Sequence, residues 1–235
     1  MGLLTIIRKT RLKEKQVRVL MLGLDNAGKT TICKAILGED VNEVSPTLGF
    51  NIRTIVHQGY TLNVWDIGGQ TSLRPYWRNY FEQTDAVVWV VDSSDRARLG
   101  DCKKELHDLL KEERLIGASL LVFANKQDIT GAMTVEEISA ALDLASLSAS
   151  HHCSIQPCSA RFSSLPSSAS TSSTLSSSSP VSPSPSPRAG AKTDPRIILG
   201  LDWVVGEVAS RVYYGSQNAM MQAASEVPLT REPSR

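Results

Sequence analysis

The stretch "GLDNAGKT" at positions 23–30 has the spacing G-x-x-x-x-G-K-[ST], and the chemistry of that spacing is to hold phosphates. Backbone N–H groups of the loop from Gly23 through Leu24, Asp25, Asn26 and Ala27 to Gly28 converge on an anion at a helix N-terminus, where the dipole adds to their attraction. Lys29 then reaches β- and γ-phosphates, the Thr30 hydroxyl suits Mg²⁺, and Thr31 continues the same helical start. The pattern needs a strand before it and a helix after it. "VRVLMLGL" supplies the first, and "KTTICKAILG", stopped by Gly38, supplies the second. A nucleoside triphosphate is implied, but not which one.

"NKQD" at 125–128 speaks to the base. It follows the apolar run "SLLVFA", which puts Asn125, Lys126 and Asp128 at the carboxyl edge of a strand, where open α/β sheets bind ligands. A carboxylate there accepts from guanine N1–H and its exocyclic amine together. Adenine would leave the carboxylate unpaired, at a cost of about 1–3 kcal/mol or more. "WDIGGQ" at 65–70 ends another strand: Asp66 suits a Mg²⁺ role through water, Gly69 lets a backbone N–H approach a γ-phosphate, and Gln70 is set to orient an attacking water. "SPTLGF" at 45–50 offers Thr47 as a second hydroxyl for the metal. The candidate catalytic residues are thus Lys29 and Gln70, and the candidate metal residues are Thr30, Thr47 and Asp66.

These groups need a frame. "FNIRTIV" and "TLNVWDI" flank a turn at Gly59 and predict an antiparallel hairpin. "DAVVWVV" and "SLLVFAN" are near-continuous apolar runs, as in strands buried on both faces, and "CSIQPCSA" is a weaker sixth strand. Helical spacing covers 95–114, a capping box at Thr134 and Glu137 opens a helix through Leu142, and "IILGLDWVVGEVASRVY" from Ile197 predicts the last helix. Gly206 inside it costs about 1 kcal/mol relative to Ala. The expectation is an α/β fold with a six-stranded, mostly parallel sheet, one antiparallel hairpin strand and helices on both faces.

The order of these segments resembles the Arf and Arf-like family of small GTP-binding proteins. The resemblance is carried by "GLDNAGKT", "PTLGFN", "WDIGGQ", "LRPYWRNYF", "VVDSSDR", "FANKQD" and "CSA". It covers residues 1–160 and resumes at about 197–213. "MGLLTI", "YWRNYFEQTDAVVWVVDS" and "EERLIGASLLVFANKQD" are most similar to the Arf-like two branch. The resemblance implies the P-loop small GTPase fold, GTP or GDP with Mg²⁺ as ligands, and a switch that hydrolyses GTP slowly. It implies Ser159 and Ala160 as the final guanine-contact loop, and Phe50, Trp65 and Tyr80 as an aromatic effector surface. It further implies a hairpin and N-terminal helix that move on nucleotide exchange. Implied partners are effectors, exchange factors and GTPase-activating proteins, together with carriers of lipidated proteins and a tubulin-folding cofactor. It also implies a monomer in the cytoplasm, with peripheral membrane or cytoskeletal association.

Composition narrows the field. The 235 residues are 41% hydrophobic and 21% charged with a net charge of +1, which points to no nucleic-acid partner. Four cysteines without a secretory leader predict reduced thiols, with Cys33 and Cys102 on helices as packing. "HHCSIQPC" fits no strong zinc spacing. Residues 1–15 predict a basic amphipathic helix with weak membrane contact, and Ile6 at the position that wants Ser or Thr argues against acylation of Gly2. No arginine is placed to act on the γ-phosphate in cis, so hydrolysis should need an activating partner. A nucleotide-binding module with negligible turnover and a P-loop phosphotransferase are the alternatives, although no acceptor-substrate site accompanies the second.

One stretch breaks the pattern. Residues 162–188 hold 14 Ser, 2 Thr and 5 Pro, too polar to offset their ordering entropy. The sequence therefore predicts one GTPase domain over 16–213, interrupted by a disordered insertion at 162–195, with a loose tail at 214–235. A regulatory loop (Ser182, Ser184 and Ser186 each precede proline), a passive insertion and unspliced sequence are three readings of it. Loop closure adds only about 0.6 kcal/mol per doubling of length. The expected damage is local, at Ser159 and Ala160, where nucleotide affinity would suffer.

Overall fold

The computed structural model describes residues 14–148, 150–162 and 193–214. The N-terminal arm before Glu14, the Gly2 question, the serine tract from Ser163 and the tail beyond Tyr214 lie outside the described residues.

Two strands with every residue buried form the centre of the sheet: β4 (Ala86–Asp92) and β5 (Ser119–Asn125). Their β-branched and aromatic side chains alternate between two apolar layers, as the unbroken hydrophobic runs require. Val87, Trp89 and Val91 join one core with Leu20, Leu22, Leu106 and Ile138. Val88 and Val90 join the other with Val19, Met21, Ile32, Leu201 and Val204. Around them β1 (Gln16–Leu22), β2 (Phe50–His57), β3 (Tyr60–Ile67) and β6 (Cys153–Pro157) complete a six-stranded sheet in the order β2-β3-β1-β4-β5-β6. Only β2 runs antiparallel, paired with β3 from Phe50↔Ile67 to His57↔Tyr60 across the two-residue turn Gln58–Gly59. Both turn residues have positive φ (47° and 75°), which matches the twist of a tight hairpin.

The helices are α1 (Lys29–Ile36), α2 (Leu99–Leu110), α3 (Val135–Leu142), the short α4 (Leu144–Leu147) and α5 (Pro195–Val208). The predicted capping box is present: Thr134 accepts from the Glu137 N–H while the Glu137 carboxylate accepts from the Thr134 N–H. The chain turns from β1 to β3 on one side and β4 on the other, so the crevice between β1 and β4 is the switch point of the sheet. The short α4 and the 3₁₀ turn at Arg74–Tyr80 have no counterpart in the sequence reading. They are short, and their spacing is that of neither a strand nor a full helix.

The last helix begins earlier than predicted. Its N-cap is Asp194 and its first residue is Pro195, not Ile197. Thr193, Asp194 and Pro195, assigned from composition to the insertion, belong to the folded unit: Thr193 donates to the Ala35 carbonyl at 2.6 Å. Past Val208 the helix loosens into a π turn through Tyr214.

The two helix glycines should respond in opposite ways. A Cβ at Gly200 would lie 2.6 Å from the buried Phe123 ring, whereas one at Gly206 would meet nothing. Gly200→Ala should lose about 1–2 kcal/mol, as overpacking outweighs helix propensity, and Gly206→Ala should gain about 0.5–1 kcal/mol. Urea unfolding of each variant measures both signs.

Candidate nucleotide-binding site

The phosphate loop leaves β1 through the crevice. At Gly23 (φ 137°) an added Cβ would sit 2.3 Å from the Val90 carbonyl of β4, so only glycine lets the loop pass there. The side chain of Leu24 is buried in the core and Ala27 is buried as well, which leaves their backbones for the loop. Lys29, the first residue of α1, folds back under the loop. Its ammonium donates to the carbonyls of Gly23 (3.0 Å) and Leu24 (2.8 Å). Burial lowers its pKa to about 8, with Asp66 and Asp25 pulling the other way. Asp25 itself is gripped by Arg98 at 2.9 Å and approached by Arg74 at 3.7 Å. Both arginines escaped the sequence reading because they lie on other elements.

Three oxygen groups converge beside Lys29. The Thr30 hydroxyl donates to Asp66 Oδ2 at 2.7 Å and lies 2.8 Å from the Thr47 hydroxyl. The edge of an octahedron built on metal–oxygen bonds of about 2.1 Å is about 3 Å, so the two hydroxyls are spaced as neighbouring ligands of Mg²⁺. Asp66 is fully buried, and its Oδ1 has no hydrogen-bond partner in the protein. Burial raises its pKa, against the Thr30 hydrogen bond and the charges of Lys29 and Arg53. A hard divalent cation, or a water bound to one, satisfies that oxygen. The residues present therefore fit Mg²⁺.

The loop that carries Thr47 is fixed against the segment after β3. Gly68 donates to the Gly49 carbonyl at 2.9 Å, and Trp77 Nε1 donates to the Gly68 carbonyl at 2.9 Å. Gly69 packs so closely on the phosphate loop that a Cβ would fall 2.4 Å from the Gly23 oxygen. Gln70 borders the resulting cleft with Asn26, Thr31, Thr47 and Gly69, and the cavity volume is about 260 Å³. Arg161, at the threshold of the serine tract, borders it too.

The base end is built on Asn125. Its amide donates to the Ala27 carbonyl at 2.8 Å and its Oδ1 accepts from the Ala160 N–H at 3.0 Å. Asn125 is therefore a tie between the phosphate loop and the β6 loop. Lys126 (φ 67°) pairs with Asp92 at 2.6 Å. Burial alone would raise the Asp92 carboxyl, but hydrogen bonds from Lys126 and Ser94 hold it below its usual value. Asp128 accepts a short hydrogen bond from the Ser159 hydroxyl. Ser159 in turn gives its backbone N–H to the buried Asp194 at 2.8 Å. Arg196 covers the same carboxylate at 2.8 Å. Polar composition around Asp194 concealed this contact.

The aromatic trio is real as a cluster: Phe50, Trp65 and Tyr80 meet with ring centroids 5.1–5.7 Å apart, and Arg18 caps Trp65 at 4.1 Å. In "HHCSIQPC" the histidines have protein partners, His152 lying 3.0 Å from Glu207. His151 is buried with its ring nitrogen 3.1 Å from the Ala118 carbonyl, and the described residues hold no metal-binding cluster of His, Cys, Asp and Glu. Cys33, Cys102 and Cys158 are buried free thiols, and burial raises the pKa of each.

The chain has relatives among known proteins. Residues 3–168 match the ADP-ribosylation factor family. The chain is 53% identical over 213 residues to ADP-ribosylation factor-like protein 2 of Arabidopsis thaliana, covering 91% of this chain and 98% of that one. It is 63% identical over 160 residues to the Dictyostelium discoideum protein of the same name, covering 68% and 86%. Among solved structures it is similar to the Arl6 BBS3 small GTPase of Trypanosoma brucei with bound nucleotide analogue GppNp. That match has a TM-score of 0.57 and 36% identity, over 62% of this chain and 87% of that chain.

The buried ammonium sets a pH signature. With its pKa lowered to about 8, Lys29 is charged below that pH and neutral above it. Affinity for a nucleoside diphosphate should be flat from about pH 6 to 7.5 and then weaken by up to about tenfold per unit above pH 8. In the nucleotide-free protein the unfolded chain binds the extra proton between about pH 8 and 10.4, so this group makes stability rise with pH there. Lys29→Met should bind weakly and lose the pH dependence in fluorescent-nucleotide titrations.

Proposed function

Since the chain belongs to the ADP-ribosylation factor family, we propose that this site works as a guanine-nucleotide switch whose parts are the residues just described. The family's members are small GTPases that bind GTP or GDP with Mg²⁺, and this chain is one of them. One observation carries the assignment of residues: Lys29, Thr30, Thr47 and Asp66 meet at one end of the site and Asp128 with Ser159 at the other, joined by Asn125.

In this reading Asp128 accepts from guanine N1–H and the exocyclic amine while Ser159 and Ala160 border the base. Lys29 exchanges its two loop carbonyls for phosphate oxygens, so a charge already desolvated gains its counter-charge. Thr30, Thr47 and, through water, Asp66 would hold Mg²⁺, which would supply positive charge against the phosphates. Thr47, whose hydroxyl lies 2.8 Å from that of Thr30, links the effector-facing loop to the nucleotide. Gln70 orients water. Arg74, four residues along the chain from Gln70, is occupied by the Gly69 carbonyl (3.1 Å), Glu105 (3.0 Å) and Asp25. That occupancy supports slow intrinsic hydrolysis and an activating protein that brings its own charge.

Regulators and effectors follow from family membership. We assign effectors to the Phe50–Trp65–Tyr80 surface, where Phe50 is 44% exposed and Leu48 beside it 83% exposed. Carriers of lipidated proteins and a tubulin-folding cofactor are the partners favoured by the resemblance to the Arf-like two branch. No helix among the described residues is long and apolar enough to cross a membrane. A cytoplasmic protein with peripheral membrane or cytoskeletal contacts fits this reading.

Two substitutions test it. Asp128→Asn places an amide donor where guanine needs an acceptor, so GDP should weaken about 10- to 100-fold while xanthosine diphosphate gains. Equal loss of both nucleotides would remove Asp128 from base recognition. Gln70→Leu should lower single-turnover GTP hydrolysis on the order of tenfold with affinity retained, since a carboxamide orients water without taking its proton.

A further inference from the structure

We propose that Asp194 is a positioning residue for guanine recognition, reaching back from beyond the serine tract to set the loop that presents Asp128; this rests on the guanine-nucleotide reading above.

Asp194 is 1% exposed, and a buried carboxylate is retained only where its oxygens are satisfied. Both are. Oδ1 accepts from the Arg196 N–H at 2.9 Å, the N-cap bond of α5. Oδ2 accepts from the Ser159 N–H at 2.8 Å, 35 positions earlier in the chain. The guanidinium of Arg196 lies against both oxygens at 2.8–3.1 Å. Burial alone would raise the Asp194 carboxyl, yet these donors hold it below its usual value, so it is an anion wherever the protein is folded near neutrality.

The contact matters because of what Ser159 does next. Its hydroxyl donates to Asp128 Oδ1. An ionised carboxylate offers about four acceptor positions on two oxygens, so Asp128 can keep this bond and still accept two guanine N–H groups. The chain of contact is therefore Asp194 to the Ser159 backbone, the Ser159 hydroxyl to Asp128, and Asp128 to the base. Ala160, the neighbour of Ser159, is held separately by Asn125 at 3.0 Å. Cys158 on its other side is tied to the Ala124 carbonyl of β5 at 2.9 Å, so Ser159 lies between two pinned neighbours and Asp194 fixes the direction of its N–H, and with it the hydroxyl. A cap alone would need one oxygen. The second oxygen is spent on the base loop.

The test separates the two oxygens. A serine cap satisfies the helix as well as aspartate does, but it has one short oxygen and cannot also reach Ser159. The measurement is the ratio of inosine diphosphate to GDP dissociation constants for the complete chain with Mg²⁺; inosine lacks the exocyclic amine that Asp128 accepts. In Asp194→Ser the ratio should fall about tenfold, the worth of one charge-assisted hydrogen bond, with the thermal midpoint lowered by the unmet Ser159 N–H and the lost Arg196 pair. Asp194→Asn, with one acceptor left, should fall between. Arg196→Gln removes the covering charge but leaves the Ser159 bond, and its ratio should match wild type. A wild-type ratio in both Asp194 variants, or an equal drop in Arg196→Gln, overturns the proposal and leaves Asp194 a helix cap. A wild-type protein that does not prefer GDP to ADP overturns the nucleotide reading and this inference with it.

Discussion

Everything functional here depends on the buried carboxamide of Asn125. It stands at the end of β5, where all seven residues are buried and its position is fixed by the sheet. One end of the amide holds the phosphate loop at Ala27 and the other holds the base loop at Ala160. The two loops are thereby referred to one rigid atom group. Losing either bond would leave a buried polar group unmet, at about 1–3 kcal/mol each.

Around that tie the charges are arranged in advance. Lys29 rests on carbonyls of its own loop, and Asp66 keeps one buried oxygen without a protein partner. Asp25, Arg74, Arg98 and Asp95 form a chain of ion pairs that braces the loop from α2 and from the turn after Gln70. Such groups need little rearrangement when anionic ligand and cation arrive together, and preorganisation of this kind is what electrostatic catalysis requires.

Much of this was legible in the sequence because the signals are local. A glycine loop between an apolar run and a helix, a carboxylate after a buried strand and a capping box each state their geometry within a few residues. Helix α1, the β2–β3 hairpin, the central strands and the capped α3 follow that logic. What the sequence concealed is long-range. The Arg98–Asp25 pair spans 73 positions and the Asp194–Ser159 bond 35, and no periodicity reports either. Composition averages over a window, so it places Thr193 and Asp194 in the polar tract. A single buried carboxylate at its edge does not move the average. At Ser159 and Ala160, beside the insertion, each N–H has a buried acceptor, Asp194 and Asn125 respectively.

The serine tract therefore enters between two anchored points. Ahead of it the base loop is tied to β5, and behind it Asp194 closes α5 onto the same loop. The account's central claim is that the interrupted chain still assembles one guanine site. Calorimetric titration of the complete 235-residue chain with GDP and with ADP in the presence of Mg²⁺ tests it most directly. The account predicts saturable GDP binding at least about a hundredfold tighter than ADP, as expected where a site's polar groups would be left unpaired by the wrong base. Equal affinity for the two, or no binding of either, would contradict it.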